Sequence, residues 1–184
     1  MSFELQPHLT GKLLDLRPLR AEDFRALYAV ASDPFIWKQH PDHDRCQEPV
    51  FREFFREALE SGGALVAAER ASRELIGSSR YHGYDAAARE IEIGWSFLAR
   101  AYWGGRYNGE MKLLMLEHAF RWVRRALFTV HRENRRSQRA VEKIGGARVG
   151  AKTDARGREC VVYELTPELF AGPRRRMLAL HGAA

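Results

Sequence analysis

Only two of the 184 residues, Cys46 and Cys160, are cysteines, and they stand far apart in the chain. That scarcity excludes a disulfide framework or a cysteine-built zinc ribbon, and it predicts reduced thiols in a cytoplasmic protein. Long apolar runs are also missing. No stretch reaches the roughly 18 apolar residues that a membrane-spanning helix requires, so no membrane partner is expected. The opening residues, MSFELQPHLTGKLLDL, lack the basic start and apolar centre of a signal peptide. Internal repeats and low-complexity linkers are absent, which argues against solenoids and tethered modules. What remains suits one domain over 1–184, with a core at 13–165 and a tail at 167–184. Hydrophobic residues make up 45% of the chain, too many for a disordered one.

The net charge of +6 is unevenly spread. Met1–Glu60 carries eight Lys/Arg against eleven Asp/Glu, whereas Arg121–Arg148 carries nine against two. A basic patch of that kind serves a phosphorylated small molecule as well as nucleic acid. No nucleic-acid motif accompanies it, which favours the small molecule.

Hydrophobic spacing predicts the elements. LLDLRPL, near Leu13, alternates like a strand, and AEDFRALYAVA (Ala21–Ala31) has helical spacing with acids in its first turn. Phe51, Phe54, Phe55 and Leu59 recur at helical intervals up to a stop at Gly62. Strand-like runs then begin at Ala64, Leu75 and Glu90, separated by short turns, and read as an antiparallel meander. A largely apolar helix is expected from Asn108 to about Arg125, then a strand over Ala126–His131. A helix capped by Asn134 should run to Ile144 and stop at Gly145-Gly146. CVVYEL, from Cys160, is a last strand, and the tail is expected to form one helical turn and fray. Strands followed by a strand–helix–strand–helix unit imply a mixed α+β sheet with helices on its faces.

The stretch YWGGRYNG (Tyr102–Gly109) joins a strand to a buried helix. Free N–H groups at a helix start, with the helix dipole, form an anion site, and no proline removes a donor here. A tight turn capped by Asn108 is the plainer reading. Downstream, ENRRSQRAVEKIGGARVG follows a strand. Taken in order, EIGWSFL, YWGGRYN, MLEHAF and the N..S..A.EKIGG pattern resemble the GNAT family of acetyl-CoA-dependent N-acetyltransferases. Within it they are most similar to the branch holding ribosomal-protein N-terminal acetyltransferases. The resemblance runs from Leu13 to Leu165.

That resemblance implies a mostly antiparallel mixed sheet of about seven strands, with the family's fourth strand (Glu90–Leu98) and fifth (Ala126–His131) splayed apart. Acetyl-CoA would lie in the opening, over Ile93, Gly94 and Trp95. Its pyrophosphate would sit on Trp103, Gly104, Gly105, Arg106, Tyr107, Asn108 and Gly109, with Asn134, Ser137 and Arg139 also on the cofactor. Arg106 and Asn108 depart from the W-G-x-G-x-A form of the loop, yet the backbone donors survive and a guanidinium can itself reach phosphate. Glu92 is the candidate base, alternating with the inward Ile91 and Ile93, and Ser137 the candidate acid for the leaving thiolate. Val141 occupies the position where many family members carry a tyrosine acid. Glu92 also reads as a plain strand carboxylate, and Asn134 and Ser137 as helix caps. His131 is a second candidate base. Trp37 and His40, in DPFIWKQHPDHDR, are expected on the acceptor side. His40, His43, Asp42 and Asp44 match no closed zinc set, so no metal is expected. The resulting expectation is a cytoplasmic enzyme acting on acetyl-CoA and a primary amine, compatible with a homodimer. A catalytically silent CoA-binding protein and a nucleic-acid binder are the alternatives.

Overall fold

A computed structural model of the chain describes residues 3–182, with side chains to 179. Eight strands form one sheet. They are β1 (Leu9–Thr10), β2 (Leu14–Pro18), β3 (Ala64–Glu69), β4 (Leu75–Asp85), β5 (Glu90–Leu98), β6 (Arg125–His131), β7 (Ala147–Thr153) and β8 (Glu159–Leu165). Their order across the sheet is β1-β2-β3-β4-β5-β6-β8-β7. Every pairing is antiparallel except that of β5 with β6. The helices are α1 (Phe24–Ala31), α2 (Pro34–Trp37), α3 (Glu48–Glu60), α4 (Arg106–Ala119), α5 (Arg135–Lys143) and α6 (Pro167–Gly182). None is long and apolar enough to cross a membrane.

Two apolar clusters lie on opposite faces of the sheet. Phe51, Phe54 and Phe55 of α3 and Leu27 of α1 pack with Trp37 and Phe97 on one face. Met111 and Met115 of α4, Val141 of α5 and Phe170 of α6 pack with Ile91, Ile93, Tyr81 and Phe128 on the other. The helix α4 buries eight of its residues, including Glu110, Lys112 and His118. The Glu110 carboxylate accepts from the backbone amides of Lys12, Leu13 and Leu14 at 2.8, 2.7 and 2.9 Å, which ties α4 to the start of β2.

Several boundaries differ from the sequence reading. The sheet has eight strands, where about seven were expected. The two-residue β1 is too short to show a period, and β7 is an exposed edge with no alternation to reveal it. The buried helix starts at Arg106 rather than Asn108 and stops at Ala119, so Asn108 is a helical residue and not a cap. The tail is a 16-residue helix rather than one turn. Phe170 is 2% exposed against the core, and the helix tolerates Pro173 in its interior. Gly145, at φ +99, lets α6 approach, because a Cβ there would stand 2.6 Å from the Leu169 carbonyl oxygen.

Candidate active site

The parallel pairing of β5 with β6 lasts three residues, Glu90–Glu92 against Arg125–Leu127. Beyond it β5 stays on β4 and β6 stays on β8. A wedge therefore opens between Ile93–Leu98 and Phe128–His131, with peptide groups on both walls that no strand satisfies. A bulge sharpens it. Between Ser78/Phe97 and Arg80/Gly94 the register gains one residue in β5, and Trp95 takes φ +51, a left-handed conformation that non-glycine residues seldom adopt.

At one end of the wedge lies the N-terminus of α4. Gly104 and Gly105 have φ +100 and +118, conformations that favour glycine. The first helical bond runs from Gly109 N–H to the Gly105 carbonyl, so the amides of Arg106, Tyr107 and Asn108 point outward unbonded among the described residues. The Lys143 ammonium stands 3.1 Å from where a Gly105 Cβ would be. Arg136 lies over the Trp103 ring at 4.2 Å, and the Trp103 indole donates to the Leu98 carbonyl at 2.9 Å. The Arg106 side chain is exposed. The Tyr107 hydroxyl turns away to Glu69 at 2.8 Å, and that bond raises its pKa to about 12. Arg139 lies with Arg135, Gln138 and Glu142 around a shallow depression on α5.

Asn134 caps α5 by accepting from Ser137 N–H at 3.1 Å. The Ser137 hydroxyl makes no hydrogen bond among the described residues and is half-buried. Val141 is 6% exposed and packed in the core.

The other face of the wedge carries Glu92, which alternates with the buried Ile91 and Ile93. Its carboxylate is 18% exposed and 3.5 Å from the half-exposed Lys152 ammonium, a surface ion pair of little energetic weight. His131 points to the same side, with Asp154 at 3.3 Å and the Cys160 thiol at 3.8 Å. Burial first, and then the charge of Arg158, lowers the His131 pKa, which keeps the imidazole neutral. Glu92 and His131 thus share a face but are not neighbours, because Glu92 pairs with Leu127, four residues before His131 along β6.

The segment that holds α2 closes over this face. The Asp42 carboxylate accepts from Arg45, Arg156 and Arg158, at 2.8 Å for the first and 2.9 Å for the second. Burial alone would raise the Asp42 pKa, but the Arg158 hydrogen bond and the surrounding cations hold it low. His40 accepts the Asp42 amide N–H on Nδ1 at 3.0 Å, and burial with the Arg45 charge lowers its pKa to about 3. Its ring lies 5.8 Å from that of His131. Trp37 is 4% exposed, and its indole donates to the Ala31 carbonyl at 2.7 Å. The structure therefore places His40 at the edge of the site and Trp37 inside the core beneath it.

Asp42 is engaged by three arginines, so among the described residues the His40–Asp44 group keeps only the exposed Asp44 carboxylate outside that cluster. His131, Asp154 and Cys160 bring three donor atoms within 4.8 Å of one another. Asp154, however, is already engaged by the Arg156 and Arg158 amides and the Arg158 guanidinium, and burial raises the thiol's pKa. That donor set suits a hydrogen-bonded turn better than a metal.

Two buried cations were missed by the sequence reading. Lys112 reaches from α4 to the Ser79 and Ser96 hydroxyls at 3.2 and 2.5 Å, and burial lowers its pKa to about 7. Arg80 lies on the opposite face, 5% exposed. A charged residue inside an otherwise apolar helical stretch was the available signal for Lys112; nothing in the β4 sequence marks Arg80.

The family model for the acetyltransferase (GNAT) domain matches residues 14–147. The chain belongs to the GNAT acetyltransferase family. No curated protein matches. Solved structures agree with the GNAT fold. A GCN5-related N-acetyltransferase from Brucella melitensis is 20% identical with a TM-score of 0.82, over 95% of this chain and 85% of that one. Mycobacterium smegmatis RimJ, in complex with CoA-disulfide, is 19% identical with a TM-score of 0.70, over 96% and 94%. Spermidine N-acetyltransferase from Vibrio cholerae, in complex with CoA and spermine, is 15% identical with a TM-score of 0.66, over 88% and 99%. The mixed, open eight-stranded sheet agrees with the GNAT neighbours, and the family makes the protein an acyltransferase enzyme.

Proposed function

We propose that this GNAT domain, spanning the chain, transfers acetyl from acetyl-CoA to a primary amine by direct attack. The acceptor is a protein N-terminus or a small-molecule amine in the cytoplasm. The observation that carries this reading is the wedge between β5 and β6, with a free-amide helix start at one end and Glu92 on one wall. The residues fit the cofactor. Unpaired peptide groups of Ile93–Trp95 match the amides of a pantetheine arm. The amides of Arg106–Asn108, with Lys143 and Arg106, match a pyrophosphate. Arg139 and its neighbours on α5 suit a further phosphate. The CoA bound by the Mycobacterium and Vibrio proteins supports the same assignment.

Acetyl-CoA supplies the acetyl group as a thioester. An amine arrives as ammonium and must lose a proton to become nucleophilic. In this reading Glu92 accepts that proton, directly or through water; among the described residues its one ion-pair partner is a surface lysine. His131, held neutral, is the second group on this face able to take one. Ser137, whose hydroxyl has no partner among the described residues, gives a proton to the departing thiolate in this reading. No metal is assigned a role.

Thiol release from acetyl-CoA over a panel of amines tests the reading. Acceptor-dependent release is expected. Binding of acetyl-CoA without release from any acceptor would instead favour a silent CoA-binding protein, in keeping with the buried Val141.

A further inference from the structure

Arg80 is 5% exposed, and among the described residues no hydrogen bond or ion pair reaches its guanidinium. Its Nε and Nη2 are buried without a partner. The exposed Glu57 carboxylate acts on it through space, opposed by Arg45, and neither fills its hydrogen bonds. A buried charged group in that state is costly and calls for an anion in direct contact. The two orphaned nitrogens form one edge of the guanidinium, the edge that grips both oxygens of a carboxylate. Rings hold the head in place: Trp95 at 4.8 Å and Phe54 at 5.7 Å.

The surroundings point to the acceptor. Arg80 pairs with Gly94 at the β5 bulge, and the next pair on that face is His82 with Glu92. Arg80, Gly94 and Glu92 share the face opposite α4. A Cβ at Gly94 would meet nothing within 4 Å, so open space separates the cation from the candidate base. Across the wedge, the Thr129 hydroxyl of β6 is also buried without a partner. On the other face the neighbouring Ser79 serves Lys112, so the orphaned donors belong to the acceptor side alone.

We infer that Arg80 binds a carboxylate on the acceptor, so that the amine acetylated here belongs to an acidic molecule. The inference rests on the acetyltransferase reading. The amine would lie by Glu92 and the carboxylate on Arg80, with Gly94 leaving the room between them. The carboxylate comes from a free amino acid or from an acidic side chain at a peptide N-terminus.

The test is calorimetric titration of the CoA-saturated protein with four probes. β-Alanine and β-alaninamide represent the small acceptors. Glu-Gly-Gly-amide and Gln-Gly-Gly-amide represent the peptides. The acid of one pair is expected to bind about 10- to 100-fold tighter than its amide, and the pair that discriminates names the source. Arg80→Met should abolish that preference, Arg80→Lys should retain part of it, and CoA affinity should persist in both. Replacing an unpaired buried cation by an apolar chain should leave the melting temperature of Arg80→Met no lower than that of the parent. Equal binding of acids and amides overturns the proposal. So does an Arg80→Met protein that melts lower yet keeps the preference, since Arg80 is then a packing residue. If CoA fails to bind, the acetyltransferase reading falls first, and the same titration without CoA still decides on Arg80.

Discussion

Two cations lie buried on opposite faces of one sheet, and they are handled differently. Lys112, on the α4 face, has two serine hydroxyls and a pKa lowered to about 7 by burial. Arg80, on the α3 face, lies among aromatic rings and, among the described residues, has no hydrogen-bond partner; Glu57 acts on it only through space. A lysine answers burial by releasing its proton, whereas a guanidinium stays charged near neutral pH even where burial lowers its pKa to about 10. The α4 face is thus closed and internally satisfied, and the α3 face is held ready for a partner. The same division runs through the carboxylates. Glu110 is spent on three backbone amides, while Glu92 is paired with a surface lysine.

The sharpest way to break this contrast is at Glu92. With a good acceptor, Glu92→Gln should lower kcat by about 10²–10⁴-fold, the loss expected for a general base, while acetyl-CoA affinity is unchanged. Steady-state kinetics beside equilibrium binding would check this. Near-normal turnover would leave Glu92 a strand carboxylate and pass its role to His131.

On the closed face the effect should be on stability. Unfolded Lys112 holds its proton up to about pH 10.4, whereas folded Lys112 loses it near 7. The unfolded state therefore binds more protons between these values, and stability should rise with pH across that window, by an amount on the order of 3–5 kcal/mol. Lys112→Met removes the titrating group and should flatten the rise while leaving the Ser79–Ser96 hydroxyl contact at 2.7 Å. Denaturant titrations at pH 7 and pH 10 measure the difference. An equal rise in the variant would place the pH dependence elsewhere.

The smallest effect is expected at Arg106, whose exposed head can strengthen an anion contact at the α4 start by about 1.5–3 kcal/mol. Arg106→Ala should weaken CoA more than it weakens pantetheine, which lacks the pyrophosphate. Equal weakening in a binding assay would show that the arginine is tolerated there rather than used.

Much of this arrangement was legible in the sequence because it rests on local patterns. The alternation of Glu90–Leu98 fixed which side chains face inward, and Asn134 caps its helix as its position implied. The glycine pair at 104–105 marked the turn before α4, although Arg106 begins the helix three residues earlier than a cap at Asn108 would allow. What stayed hidden depends on partners distant in sequence. The tail helix is stabilised by contacts such as Arg174 with Glu117 at 2.7 Å and by the buried Phe170, none of which a run with Pro173 and three arginines reveals. The edge strand β7 has no periodic signal because both its faces are exposed. Arg80 looks like any strand arginine until its register opposite Gly94 is known.

Amide hydrogen exchange with and without acetyl-CoA tests the account's central claim most directly. The unpaired backbone of β5 and the free amides at the α4 start are predicted to become protected together, over Ile93–Phe97 and Gly104–Gly109, with the remainder of the sheet unchanged. Protection confined to the basic Arg121–Arg148 segment, or none at millimolar acetyl-CoA, would contradict it.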